Sequence, residues 1–377
     1  MRRWVGLVVA LVLVMGSMPG AISRAQGDDE LWPTTEWQLS TPEEQGMDSD
    51  VLVLLMERIA EQQTDIDSLL VVRHGAIVLE AYWAPYDVRT RHGLASVAKS
   101  VVSALIGAAI EQGYISGVDV PVLDFFPGVV DVEPGDPKLS MTLEDLLTMQ
   151  AGLRCHDETD ATVEAMQRTD DWAAYMLRQP MVDQPGRTFN YCNGVSHLLS
   201  VIVGRATGQN TMDFAQESLF QPLGITRVLW ARDPDGNPTG GWGLAMTPRD
   251  MARFGYLYLR DGWWDGTQIL PAGWVDASAT RHSYSLQSRG WYGYQWWVNS
   301  VNSFQAVGAG GQYIFVRRGT DMVVVMTSDT QIGNYPDLLE LMNDYVLYAS
   351  KSDEPLPANP EGVAALQTLV AAVASAD

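Results

Sequence analysis

The chain has 377 residues, 46% hydrophobic and 19% charged, enough apolar material to bury a core far larger than a minimal domain needs. Asp and Glu number 46 against 24 Lys and Arg, and a formal charge of -22 repels phosphate backbones and anionic lipid surfaces, which argues against nucleic-acid binding. The acid is spread without a long single-sign block, so it reads as a soluble surface and says little about substrate.

Arg2 and Arg3 precede an apolar run from Trp4 to Met15, and Ser23 and Ala25 supply the small residues a signal peptidase inspects. Residues 1–25 are therefore predicted to be a signal peptide, cleaved after Ala25. An uncleaved anchor reaching Ile22 is the competing reading, but Gly16, Ser17, Pro19 and Gly20 interrupt it, and a spanning helix needs about 20 mostly apolar residues. No Cys stands near the cleavage point for lipidation. The expectation is a secreted, periplasmic or otherwise extracytoplasmic protein with no stable membrane insertion once the leader is removed. In that setting Cys155 and Cys192 are expected to pair as a disulfide, worth about 4 kcal/mol in the chain-entropy picture. Two unrelated buried thiols are the alternative.

Apolar positions at Leu52, Leu55, Met56 and Ile59 predict a first helix over Asp50 to Gln63. Ser68 to Arg73 and Ala76 to Trp83, separated by His74-Gly75, predict a hairpin. Ser96 to Gln112 is apolar on every face and stops at Gly113, which describes a buried helix with a glycine after its end. From Tyr114 to about Gly241 the pattern is helical with long loops, marked by Thr142 to Leu147, Trp172 to Leu177 and Ser196 to Ala206. Thr247-Pro248 should start a helix through Met251, Phe254, Leu257 and Tyr258. Strands are expected at Tyr294 to Val298, Tyr313 to Arg317 and Met322 to Thr327, then a helix from about Pro336 to Tyr348 that covers the sheet. Strands near both ends with helices between them imply a discontinuous α/β domain (40–113 and 242–349) carrying a helical domain (114–241), with a C-terminal tail at 350–377.

Three features carry chemistry. Ser96-Val-Ala-Lys99 puts a hydroxyl and an amine on one helical face. A serine in a first helical turn sits where developing negative charge is favoured, and a lysine buried beside it can lose its proton and act as a base. The bland alternative has Ser96 as an N-cap and Lys99 paired with a surface carboxylate. Tyr191-Cys-Asn193 offers a phenol that can carry a proton and an amide that can hold lysine and substrate. Gly308-Ala-Gly-Gly-Gln312, ahead of a strand, lets backbone approach a ligand and present N–H groups to an oxyanion. Two Cys, five scattered His and no H-E-x-x-H leave no metal-ligand set, and His156, Asp157, Glu158 and Asp160 read as a solvated loop. Among the tryptophans, Trp242 in its glycine-rich connection is the candidate for a pocket wall.

In this order, the three features resemble the serine β-lactamase and D-Ala-D-Ala peptidase superfamily, in its class C and esterase-like branch. The stretches from Ser140 to Leu153 and from Gly241 to Met251 look like those of the same family. The resemblance implies an α+β fold with an antiparallel sheet flanked by helices and an inserted all-helical domain. It implies Ser96 as acylated nucleophile, Lys99 as its base or proton partner, Tyr191 as second proton carrier activating leaving group and water, and Asn193 as substrate-orienting group. The backbone N–H groups of Ser96 and Gln312 would form the oxyanion hole. One departure stands out: where such enzymes carry Lys or His before a small residue and Gly, this chain has Ala309, Gly310 and Gly311. No cation meets a substrate carboxylate there, unless Arg317 or Arg318 supplies one in three dimensions. The expected activity is hydrolysis of small esters or amides through an acyl-enzyme, without metal or organic cofactor. The alternatives are a D-alanyl-D-alanine carboxypeptidase or β-lactamase, or a cell-envelope binding protein without turnover.

Overall fold

The computed structural model describes residues 32–62, 65–157, 161–329 and 340–375. The predicted signal peptide and the start of the expected helix at Pro336 lie outside the described residues. No helix among the described residues is long and apolar enough to cross a membrane.

A short strand β1 (Gln38–Leu39) precedes helix α1 (Ser49–Gln62), which buries Leu52, Leu55, Met56 and Ile59 as the spacing requires. The hairpin follows as β2 (Ile66–Arg73) and β3 (Ala76–Tyr82). Its turn residues His74 and Gly75 both have positive φ, 48° and 81°, the combination a two-residue turn of this twist demands. After β4 (His92–Gly93) comes α2 (Val97–Glu111), buried on all sides, and Gly113 takes the left-handed φ of 77° just past its end.

The helical stretch contains α3 (Leu143–Leu147), α4 (Ala161–Gln167), α5 (Trp172–Leu177), α6 (Asn193–Thr207) and α7 (Thr211–Ala215). Thr142 and Asp145 close a reciprocal capping box at the head of α3. Strands β5 (Leu229–Trp230) and β6 (Leu244–Met246) pair beside β4 in a small sheet. Helix α8 (Pro248–Leu259) starts at the predicted Thr247 cap, whose hydroxyl accepts from Asp250 N. The chain returns through β7 (Trp263–Trp264), β8 (Thr267–Gln268), α9 (Trp274–Ser278), β9 (Ser283–Ser285), β10 (Gly290–Tyr292), β11 (Trp297–Ser300), β12 (Ser303–Gly308), β13 (Gln312–Arg317) and β14 (Met322–Ser328).

Nine strands form the main sheet in the order β1-β3-β2-β14-β13-β12-β11-β10-β9, antiparallel throughout except for the β1–β3 pair. Its central strands are apolar on both faces because both are covered. Leu70, Val72, Ile314, Val316, Val323 and Val325 face the core shared with α2, α6 and α8. Leu69, Val71, Tyr313, Phe315, Val324 and Met326 face the core shared with α1 and the segment Leu341–Ala349. A Cβ on Gly255 of α8 would lie 2.7 Å from both Ile314 and Val323, so this glycine sets how closely the helix packs on the sheet.

Two expectations are corrected or extended. The strand predicted from Tyr294 begins only at Trp297, because Gln295 adopts φ 62° and turns the chain. The tail carries a helix, Pro360–Ala374, capped by Asn359, which packs on α1 and β3 and buries Leu366.

Candidate active site

Ser96 stands half-buried at the head of α2, and its hydroxyl makes no capping hydrogen bond. The chain reaches it from β4 through Ala95, held at φ 46°, a left-handed conformation that costs a residue with a side chain of order 1–3 kcal/mol. Leu94 N donates to Leu244 O at 2.8 Å, tying this turn to β6. On the other side a Cβ on Gly308 would lie 2.3 Å from Leu94 O. Only glycine admits so close an approach, and it brings the β12–β13 end of the sheet against the turn that precedes Ser96.

Lys99 lies one turn further along α2, 1% exposed. Its Nζ is 3.0 Å from Ser96 Oγ, 2.5 Å from Asn193 Oδ1 and 2.7 Å from Gly241 O. A surface ion pair for Lys99 is thereby replaced by a buried cage. Burial pushes its pKa down to about 7, against the opposing pull of the Asp157 carboxylate. A neutral amine has two N–H donors and one lone pair. The two acceptor-only oxygens of Asn193 and Gly241 take the donors, which leaves the lone pair for the Ser96 hydroxyl proton.

The cage depends on close backbone packing. A Cβ on Gly241 would lie 2.8 Å from Asn193 Oδ1, and one on Gly240 would lie 2.0 Å from Ser196 O. Gly240 N donates to Nδ1 of buried His197 at 3.4 Å, and Nε2 of the same ring lies 3.1 Å from Asp233 Oδ2. This pair holds the Gly240–Gly241 segment on α6.

Tyr191 and Asn193 flank Cys192 at the start of α6. The Cys155–Cys192 disulfide forms with a Cα–Cα distance of 5.9 Å, joining this start to the preceding loop. Lys99 Nζ lies over the Tyr191 ring, 4.8 Å from its centroid, so the ring face stabilises the ammonium that forms when Lys99 takes a proton. Tyr191 also stacks on Trp297 at 6.2 Å and meets Tyr292 and Phe189 at 6.3 and 6.4 Å. Asp157, expected in a solvated loop, instead accepts the backbone N–H of Asn193 and sits close enough to act on Lys99. Its place could not be read from a polar run; the signal was its nearness in sequence to Cys155.

Ala309 is exposed, Gly310 half-buried and Gly311 buried at the β12–β13 turn, with φ of 83° and 89° at the two glycines. Gln312 opens β13, its Nε2 donating to Ser328 O at 2.5 Å. Arg317 and Arg318 do not replace the missing cation. Arg317 ends β13, about 17 Å along the strand from Gln312 at ~3.4 Å per residue, and Arg318 is paired with Asp261 and Asp276. Trp242 stacks on Trp172 at 5.8 Å, next to the Gly241 carbonyl. Cys155, Asp157 and Cys192 are a group of metal-ligating side chains within 4.8 Å of one another, but the disulfide takes both sulfurs and leaves one carboxylate.

Known proteins share this arrangement of elements. The chain is 26% identical over 322 residues to a 6-aminohexanoate-dimer hydrolase of Paenarthrobacter ureafaciens, covering 79% of this chain and 80% of that one. It superimposes on an octameric penicillin-binding protein homologue from Pyrococcus abyssi with a TM-score of 0.62 at 19% identity, covering 81% and 78% of the two chains. On a family VIII carboxylesterase the TM-score is 0.66 at 14% identity, covering 83% and 99%. Residues 45–346 match the family model described as Beta-lactamase, and the chain belongs to that family as a serine hydrolase of amide or ester bonds.

Proposed function

We propose that the chain is an exported enzyme that hydrolyses small esters or amides lacking an essential carboxylate, through an acyl-enzyme on Ser96. The observation that carries this is the cage around Lys99: a buried amine 3.0 Å from Ser96 Oγ with its other partners both acceptors. Neutral Lys99 takes the Ser96 proton as Oγ attacks the carbonyl carbon. The oxyanion is received by the backbone N–H groups of Ser96 and Gln312. The new ammonium rests on the Tyr191 ring, and collapse expels the alcohol or amine with a proton delivered from Lys99 by way of Tyr191. Water then attacks the acyl carbon, its proton passing by way of Tyr191 to Lys99, which returns it to Ser96 Oγ as the carboxylic acid product leaves.

Two features support the substrate class. The turn at Ala309, Gly310 and Gly311 offers no side-chain charge to a carboxylate, and Phe189, Tyr191, Tyr292 and Trp297 make an aromatic wall beside Lys99 that suits an uncharged apolar group. Export is supported by the leader-like first 25 residues and by a disulfide that persists in oxidising compartments. The test is a parallel assay of a short p-nitrophenyl ester, a 6-aminohexanoate dimer, a D-Ala-D-Ala peptide and a chromogenic cephalosporin. Preferred turnover of the ester is expected, with the dimer's amide tolerated only if its terminal carboxylate can be masked as a methyl ester without loss of rate; preferred turnover of either of the last two would contradict the substrate class.

A further inference from the structure

The loop between β10 and β11 carries a buried glutamine near its tip. Gln295 is 2% exposed and has φ 62°, a region that glycine enters freely and glutamine does not. A side chain kept in such a conformation points to a function that glycine would not serve. Every polar group of Gln295 is engaged with a helix of the site. Its carbonyl accepts from Ser100 Oγ at 2.7 Å, and its Oε1 accepts from Ser196 Oγ at 2.7 Å. Its Nε2 donates to the carbonyls of Leu146 and Leu147 at 3.1 and 2.9 Å, and its backbone N donates to Leu147 O at 3.0 Å.

Those partners are next to the groups that do the chemistry. Ser100 follows Lys99 on α2, and Ser196 lies one turn beyond Asn193 on α6. Leu146 and Leu147 end α3, and two residues on, Met149 O accepts the N–H of Asn190 at 2.8 Å, directly before Tyr191. Trp297, two residues after Gln295, stacks on the Tyr191 ring. One residue therefore bonds the segments that deliver Lys99, Asn193 and Tyr191, its backbone carbonyl holding the first and its side-chain amide the other two. The amide's acceptor meets a hydroxyl and its two N–H groups meet two carbonyls, a match that neither a carboxylate nor an apolar side chain reproduces.

We propose that Gln295 is a positioning residue of the active site, fixing the separation of Lys99 from Asn193 and Tyr191; this rests on the reading of those residues as the catalytic group. With the amide gone, the buried Ser196 hydroxyl loses its acceptor, while the carbonyls of Leu146 and Leu147 keep only the backbone N–H groups of Met149 and residue 295, so the tie that fixes α3 against α6 is weakened. The test uses Gln295→Met, which keeps the volume and the backbone bonds to Ser100 and Leu147 but loses the side-chain bonds, Gln295→Gly, which also relieves the left-handed φ, and Ser196→Ala, which removes one bond. Each is acylated with a fluorophosphonate, and the rate constant, the inhibitor's half-saturating concentration and the number of sites titrated are measured separately.

In both Gln295 variants the rate constant is expected to fall on the order of 10- to 100-fold, at full titre and with half-saturation within about two-fold of the parent. Ser196→Ala should lose about two- to five-fold. A merely structural role would give fewer sites reacting at the parent rate, and that result overturns the proposal, as does a parent rate at full titre. If neither Gln295 variant melts cooperatively, Ser196→Ala decides: a parent rate overturns the proposal and a several-fold loss upholds it. Absence of labelling in the unsubstituted chain would overturn the catalytic reading and this one with it, whereas normal labelling of the parent and undiminished rates in the variants overturn this one alone.

Discussion

The carbonyl oxygen of Gly241 lies 2.7 Å from Nζ of Lys99, and the two residues come from opposite ends of the inserted helical stretch. Neither that oxygen nor Asn193 Oδ1 can give Lys99 a proton. Of the three oxygens within hydrogen-bond reach of Nζ, the Ser96 hydroxyl is the one that carries a proton, so the cage makes the lysine useful as a base once it is neutral.

That state sets the pH dependence. With its pKa lowered to about 7 by burial, Lys99 is protonated in acid and a competent base above neutrality. The acid limb of kcat/KM for a neutral ester should therefore fall near pH 7. A rate that stays flat down to pH 5 would show that the base is another group.

The same burial weakens the fold. Unfolded lysine titrates near ~10.4, so between that value and about 7 the unfolded chain holds a proton that the folded chain has shed. The contribution to stability is intact above ~10.4 and declines as pH falls, by at most roughly 1.4 kcal/mol per unit, reaching its full loss below about 7. Lys99→Met should remove this penalty, raising Tm more at pH 6 than at pH 9 while abolishing turnover. Equal changes in Tm at both pH values would contradict the assignment.

Gly241 should tolerate no side chain without loss of activity. Its Cβ would meet Asn193 Oδ1 at 2.8 Å, and the amide can swing away only by leaving Lys99. Overpacking of this kind costs about 1–3 kcal/mol, so Gly241→Ala should fold, with a lower Tm and little turnover. Gly240→Ala, aimed at the backbone oxygen of Ser196 at 2.0 Å, should not fold stably. Parent-like turnover by Gly241→Ala, measured beside its melting curve, would contradict the cage.

Reduction should act on catalysis ahead of the fold. Cys192 sits between Tyr191 and Asn193, and its bond to Cys155 spans a sequence separation of 37. Losing such a link costs roughly 2–5 kcal/mol, within reach of a large domain, but it also frees the start of α6. A titration with a dithiol should lower ester turnover at reductant concentrations that leave the circular dichroism unchanged. Turnover that falls only together with the spectrum would contradict it.

Much of this site could be read in the sequence, because its chemistry is written at helical spacing. Ser96 and Lys99 are three residues apart on a helix apolar on every face, so the two share a side; the choice between a buried amine and one paired with a surface carboxylate came only with the structure, in which Lys99 is 1% exposed. Sequence alone does not bring in residues whose partners are distant. Asp157 looks like any solvated acid until α6 presents the N–H of Asn193 to it. Gln295 lies in a run with strand composition, yet its bonds reach back to Ser100, Leu146, Leu147 and Ser196. Alternation predicts a strand through Tyr294, and these long-range bonds outweigh that local preference to make a turn. The helix Pro360–Ala374 escaped for a similar reason: its alanine-rich stretch gains its place from contact with α1 and β3.

The most direct measurement is to treat the protein with a fluorophosphonate at pH 8, digest it and locate the adduct by mass spectrometry, with Ser96→Ala in parallel. A single adduct on the peptide containing Ser96, absent from the substituted chain, is the predicted result. An adduct on a different serine, or undiminished labelling of Ser96→Ala, would contradict the account.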